Sequence, residues 1–278
     1  MQSSSNVVKI ANKGKTKSVR KTQEVQTSAD WQEYSKGRFK YAPFEPLSEN
    51  QALAYEAALE HHLVLVSGPA GTGKSYCGAS AAIKLLSERL IDGIIITRSP
   101  LPTGTTAGFR PGDTYEKLMP YLMPLIQTFK KVLRTETGSD GLFNYLWEKK
   151  TIEIQDLETI KGMSFDNKFV IIEEAQECDM EQLKNLFTRA ADSSYIFANG
   201  DTKQGNKRLK ENSFGRYLSC FNEYNSRLLT GGLDHLKVDG DMPKWAKPVS
   251  MVEFTKSDRN GRGDNVRRML EINDMFDL

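Results

Sequence analysis

The stretch that most constrains this chain is VLVSGPAGTGKSYC, Val64 to Cys77. A short apolar run passes through a turn holding Gly68, Gly71 and Gly73, then Lys74 and Ser75, then the Ala- and Leu-rich segment Tyr76 to Arg89. Such a passage reads as a strand at Leu63 to Val66, a tight turn and a helix. The spacing is G-x-x-x-x-G-K-[ST], the phosphate-binding loop, which requires this strand-before, helix-after context. The glycines let successive backbone N–H groups converge on one phosphate, and the helix N-terminus adds partial positive charge. Gly68, Pro69, Ala70, Gly71, Thr72 and Gly73 would form the cradle. Lys74 would reach the β- and γ-phosphates, the Ser75 hydroxyl would bind Mg²⁺, and Tyr76 would follow in the first helical turn. An ordinary glycine-rich connection is the competing reading. The agreement of motif and context speaks against it.

Apolar runs and helical patterns then alternate along the chain. Ser48 precedes a helix at 49–60. Strands are expected at 94–98, 152–154, 169–172, 195–198 and 249–254, and helices at 115–133, 141–149, 180–190, 213–223 and 264–276. The polar, glycine-rich stretch 99–113 is a long loop, and loops of that length are usually functional or disordered. Alternating strands and helices predict an α/β fold, a mostly parallel sheet with helices on both faces. There is no internal repeat and no second core, so 41–278 reads as one domain. Residues 1–40 read as a disordered basic tail: Lys9, Lys13, Lys15, Lys17, Arg20 and Lys21 stand against Glu24 and Asp30 in the first thirty residues. That tail is either a solubilising segment or a salt-sensitive contact for nucleic acid.

The net charge is +2, so the whole chain is no general binder of polyanions. No apolar run approaches a membrane span, and the N-terminus has no secretory pattern. Cys77, Cys178 and Cys220 are far apart and read as reduced thiols of a cytoplasmic protein. The three histidines have no metal-ligand spacing.

A phosphate loop alone hydrolyses nothing; hydrolysis also needs a carboxylate near the metal and a group that orients water. FVIIEEAQ, Phe169 to Gln176, ends an apolar strand on two acids. Glu173 would face Mg²⁺ and Glu174 would orient or deprotonate water. The turn GDTKQ adds Asp201 and Gln204, with Gln204 placed to touch the γ-phosphate or the water. Two surface glutamates and a plain Gly-Asp turn are the alternatives.

The order GPAGTGKS, TRSPLPTGTTAGFRPGD, KGMSFDNKFVIIEEAQ, GDTKQ resembles the PhoH family of ATPases, related to superfamily 1 helicase cores. The resemblance runs from about Leu47 to Met269, and the block Thr97–Asp113 is its most specific part. It implies one RecA-like phosphate-loop domain, ATP hydrolysis with Mg²⁺, a link to RNA or single-stranded DNA, and assembly into a homo-oligomer such as a hexameric ring. The short length resembles a phage-type member, placing it in the host cytoplasm. Carried over by position, Gln51 stands where such helicases read adenine, and Arg98 and the 103–110 loop, with Thr103, Arg110 and also Lys161, stand near a nucleic-acid backbone. Each cation has a solvated surface position as its alternative. Two departures stand out. The family's Asp-Glu-Ala-Gln is Glu-Glu-Ala-Gln here, so Glu173 is one methylene longer and hydrolysis could be slow. Near the C-terminus, Arg259 and Arg262 are both candidates for an arginine finger, Arg262 being favoured. With a single RecA-like domain, that finger would come from a neighbouring subunit.

Three functions compete: an ATPase that binds, remodels or unwinds RNA or single-stranded nucleic acid, a small-molecule kinase, and an ATP-binding assembly module with little or no hydrolysis. A kinase would need an arginine-rich lid and has no use for the GDTKQ turn. The Glu173 departure is what keeps the third reading in play beside the first.

Overall fold

The computed structural model describes residues 39–99, 114–134, 138–204, 212–261 and 263–276. The expected basic tail, apart from its last two residues, and nearly all of the 99–113 loop lie outside these residues.

Six strands form one sheet: β1 (Leu63–Ser67), β2 (Gly93–Arg98), β3 (Ile152–Ile154), β4 (Lys168–Glu173), β5 (Tyr195–Gly200) and β6 (Ser250–Glu253). Their order is β3-β2-β4-β5-β1-β6, and every pairing is parallel. All carboxyl ends therefore lie along one edge, where open α/β sheets place their ligands. The strand order puts β5 between β1, which feeds the glycine loop, and β4, which ends on Glu173.

The side chains alternate across the sheet as a twofold strand period requires. Val64, Val66, Ile94, Ile96, Phe169, Ile171 and Phe197 enter one core. Leu65, Ile95, Val170, Ile172, Ile196 and Ala198 enter the other. The first core is closed by α1 (Glu49–Glu60), α2 (Lys74–Ser87), α3 (Thr114–Leu133) and α4 (Gly141–Glu148). The second is closed by α5 (Leu157–Lys161), α6 (Met180–Thr188) and the start of α7 (Ser213–Thr230). α8 (Asp264–Phe276) follows β6. Each large apolar side chain buried this way contributes about 1.5–3 kcal/mol. The α/β fold with helices on both faces is thus as the sequence predicts, and the sheet is wholly parallel.

The helix starts are fixed by local chemistry. The Ser48 hydroxyl accepts from the Gln51 N–H at 3.3 Å. Asp179 and Gln182 cap α6 reciprocally, at 2.8 and 2.9 Å. α3 carries Pro120 and Pro124 in its interior, which weakens helical bonding, yet it buries Leu118, Leu122, Leu125, Ile126 and Phe129 against the first core. α2 starts two residues earlier than its composition suggests, at Lys74, because Gly73 supplies a left-handed turn at φ 90°. α7 continues past the expected end at 223 and stops where Gly231 takes φ 79°. α5 went unforeseen, since LETIK is too short to show a period. Among the described residues no helix is long and apolar enough to cross a membrane.

Candidate functional site

The loop after β1 is held by its neighbours as much as by its own sequence. Gly68 has φ 139° and donates its N–H to the Gly200 carbonyl at 3.1 Å. A Cβ at Gly68 would sit 2.4 Å from the Phe254 carbonyl oxygen, so only glycine fits between β1 and the chain leaving β6. The Phe254 N–H closes the same junction on the Ser67 carbonyl at 2.7 Å. At the far end of the loop, a Cβ at Gly73 would meet the Gln51 amide nitrogen at 2.7 Å. The cradle is therefore wedged between α1 and the segment after β6.

Lys74 lies back over this cradle. Its Nζ donates to the Gly68 carbonyl at 2.7 Å and the Pro69 carbonyl at 2.9 Å. Burial pushes its pKa down, as does the nearby charge of Arg259, while Glu174, Asp201 and Glu173 pull it up. A cation ringed by three acids and resting on two neutral carbonyls is poised to turn toward a polyanion.

Ser75, one residue on, donates its hydroxyl to Glu173 Oε2 at 3.0 Å. Asn199, carried by the intervening strand β5, donates to Glu173 Oε1 at 2.9 Å. Glu173 is 8% exposed. Burial raises its pKa, the Asn199 and Ser75 hydrogen bonds oppose that rise, Glu174 adds to it and Lys74 lowers it. The Glu173 carboxylate thus meets the Ser75 hydroxyl directly. Two oxygens 3.0 Å apart match an edge of the octahedron that Mg²⁺ prefers, with ligands at about 2.1 Å. Ser75 and Glu173 fit a divalent cation on this ground.

Glu174 is in the left-handed region, at φ 51°, ψ 50°, a strained place for a residue with a side chain. The Gln176 amide donates to its Oε2 at 2.6 Å and accepts from the Asp201 N–H at 3.0 Å. Asp201 is buried at the end of β5; its carboxylate accepts from the Lys203 N–H at 3.0 Å, and its carbonyl from the Gln204 N–H at 3.2 Å. Gln204 itself is exposed at the end of that turn. Lys74, Ser75, Glu173 and Glu174 are therefore brought to one edge, with the Asp201–Gln204 turn beside them.

Other expected site residues are placed differently. Gln51, expected to read adenine, is a buried tie: its Oε1 accepts from the Leu47 N–H at 2.8 Å and its Nε2 donates to the Thr72 carbonyl at 2.8 Å. Arg98, expected near a nucleic-acid backbone, is engaged within the protein. It pairs with Glu177 at 3.0 Å and lies over the Tyr121 ring, 5.1 Å from its centroid. Burial raises the Glu177 pKa and Arg98 holds it back, so the pair compensates a buried acid. Lys161 is half-exposed and 4.0 Å from Glu181. Tyr76 takes part in an aromatic cluster, 5.1 Å from Phe44, and its hydroxyl accepts from the Glu45 N–H at 3.3 Å. Arg259 is buried and its Nε donates to the Ala70 carbonyl of the glycine loop at 3.3 Å. Thr103, Arg110 and Arg262 lie outside the described residues.

Sequence reasoning missed Asn199, Gln176 and Asp258. Asn199 is an interior strand position, and only the strand order reveals that β5 separates the loop from Glu173. Asp258 accepts from Asn50 at 2.9 Å and from the Thr255 N–H at 2.7 Å, fastening the segment after β6 to α1. Its burial would raise its pKa, but these bonds and one from Ser48 outweigh that and hold it down.

Comparison with known proteins bears on this arrangement. The family described as PhoH-like protein matches residues 43–225. The PhoH-like protein of Bacillus subtilis is 38% identical over 151 residues, covering 54% of this chain and 46% of that protein. Protein PhoH of Escherichia coli is 33% identical over 160 residues, covering 57% and 44%. The chain thus spans less than half the length of the curated relatives it matches. Among solved structures, the large terminase from a thermophilic bacteriophage overlaps 82% of this chain and 50% of its own, at a TM-score of 0.43 and 9% identity. The chain belongs to the PhoH-like family.

Proposed function

We propose that this PhoH-like chain hydrolyses ATP at the carboxyl edge of its sheet and couples turnover to RNA or single-stranded DNA. The observation that carries the reading is the convergence of Lys74 and Ser75 from the glycine loop with Glu173 and Glu174 from β4, Ser75 and Glu173 being in direct contact at 3.0 Å. In the proposed reaction the loop N–H groups between Gly68 and Lys74 hold the phosphates. Lys74 leaves the Gly68 and Pro69 carbonyls for the β- and γ-phosphate oxygens. Ser75 and Glu173 would hold Mg²⁺, which when bound offsets phosphate charge. Glu174 accepts a proton from the attacking water, and Gln204 follows the γ-phosphate through the Asp201 turn. Arg259 is already engaged on its own loop, so a finger acting on a neighbour's nucleotide falls to Arg262. That assignment goes with a homo-oligomer.

A second reading is an ATP-binding module with little turnover. The observation behind it is Glu173 itself, a longer acid than the family's Asp and already engaged by the Ser75 hydroxyl and the Asn199 amide. The test is steady-state ATP turnover with Mg²⁺, alone and with single-stranded RNA or DNA, at two salt concentrations. Turnover that one nucleic acid stimulates, more strongly at low salt, supports the coupled ATPase. Tight ATP binding without turnover under every condition selects the module.

A further inference from the structure

Gln176 is 2% exposed, and nothing in the proposed chemistry uses it. Its amide has opposite tasks at its two ends. The Nε2 donates to Glu174 Oε2 at 2.6 Å, and the Oε1 accepts from the Asp201 N–H at 3.0 Å. An amide does both without adding charge. An apolar residue of the same length would leave a carboxylate and a buried N–H without these partners, and an ionised acid would repel Glu174. The space is reserved as well: a Cβ at Gly200 would stand 2.6 Å from the Gln176 Oε1. The contact continues beyond the turn. The Thr202 carbonyl accepts from Asn212 Nδ2 at 2.8 Å, and the Asn212 Oδ1 caps α7 through the Gly215 N–H at 3.0 Å.

We propose that Gln176 is a positioning residue that holds Glu174 in its strained left-handed conformation and ties it, through the Asp201 turn and Asn212, to the start of α7. The inference rests on the role of Glu174 given above. It makes the geometry of the water-orienting acid depend on the position of the turn, so a shift of α7 alters turnover without touching nucleotide. Lys74, Glu173 and Glu177 also act electrostatically on or beside Glu174, and Asp201 faces Lys74, so their charges are common to every variant compared below.

The test is kcat and KM for MgATP in wild type, Gln176→Ala, Gln176→Glu and Glu174→Gln, from about pH 5.5 to about pH 8.5, with melting temperatures alongside. Gln176→Ala is expected to lower kcat about 30-fold with KM changed less than about twofold, since misplacement of a reacting group by an ångström costs up to about a hundredfold. Gln176→Glu should match that loss at high pH. As its new carboxyl protonates it can donate to Glu174 and accept from the Asp201 N–H. Its kcat relative to wild type should then climb about tenfold toward low pH, while the Gln176→Ala ratio stays flat. A merely structural role gives flat ratios for both variants. Flat ratios, or a Gln176→Ala kcat within about twofold of wild type, overturn the inference. Should the alanine variant not fold, the glutamate variant, of nearly the same size, decides by its ratio. If Glu174→Gln abolishes turnover and the Gln176 variants do not respond, this inference alone fails. If Glu174→Gln turns over normally, the role given to Glu174 in hydrolysis fails with it.

Discussion

The carboxyl edge between β1 and β4 and the C-terminal stretch beyond α7 invert each other. At the edge, polar side chains are buried and each is hydrogen-bonded: Gln51, Gln176 and Asn199 are each 2% exposed. In the C-terminal stretch, large apolar side chains stand in solvent, with Trp245 at 69% and Met275 at 75%. Burying an amide or acid is costly unless each atom finds a partner, so a set this well paired marks where the fold is specified most tightly. The C-terminal stretch touches that set through Phe254, Asp258 and Arg259, which brace the loop from behind. Function is thus expected to respond sharply at the edge and at this short brace, and weakly further on.

The largest expected effect is that of Lys74→Ala, which should cut ATP turnover at least about 100-fold while the melting temperature stays close to wild type, because the Lys74 hydrogen bonds here are to loop carbonyls. Next, Gly68→Ala should cost about 2–4 kcal/mol in denaturant unfolding, since its Cβ meets the Phe254 backbone at 2.4 Å and φ is 139°. A normal stability would mean that the brace yields easily and the contrast is false.

Asp258→Ala should cost about 1–3 kcal/mol at neutral pH by freeing the brace from α1. The folded pKa of Asp258 lies below its ordinary 3.8, so its contribution is full above that value and is lost as pH falls through the folded pKa. The deficit of the variant should shrink accordingly in acid. Glu173 has the opposite sign. Its folded pKa lies above the ordinary 4.5, so its contribution is full below that value and is lost as pH rises through the folded pKa. At about pH 7.5, Glu173→Gln should therefore raise the melting temperature of the nucleotide-free protein by about 2–4 °C, a gain that disappears below about pH 4.5. Ser75 can rotate its hydroxyl to suit the new amide. The smallest effect is expected at Met275→Ser, within about 0.5 kcal/mol of wild type. A larger loss would show that α8 is covered in solution and would close the gap between the two regions.

Much of the edge was legible in the sequence because its chemistry is local. The glycine loop, Lys74, Ser75 and the Glu173–Glu174 pair lie in two short runs whose spacing reflects backbone geometry. The strands were legible because β1, β2, β4 and β5 are buried on both faces and read as continuous apolar runs. What escaped depends on contacts far apart in the chain. Asn199 faces Glu173 across 26 residues of sequence separation. Asp258 meets Asn50 across 208. Arg98 looked like a free cation because Glu177 lies on another strand's exit, and only the β2–β4 pairing brings them together. Gln51 was expected to face adenine, and helical position alone does not reveal that the loop folds onto it.

The most direct measurement is the initial rate of phosphate release from MgATP by wild type and Glu174→Gln, with ATP binding measured in parallel. The account predicts that the variant binds ATP as tightly as wild type and releases phosphate at least about 100-fold more slowly. Equal rates for the two proteins would contradict it and would remove the left-handed acid at the end of β4 from the chemistry.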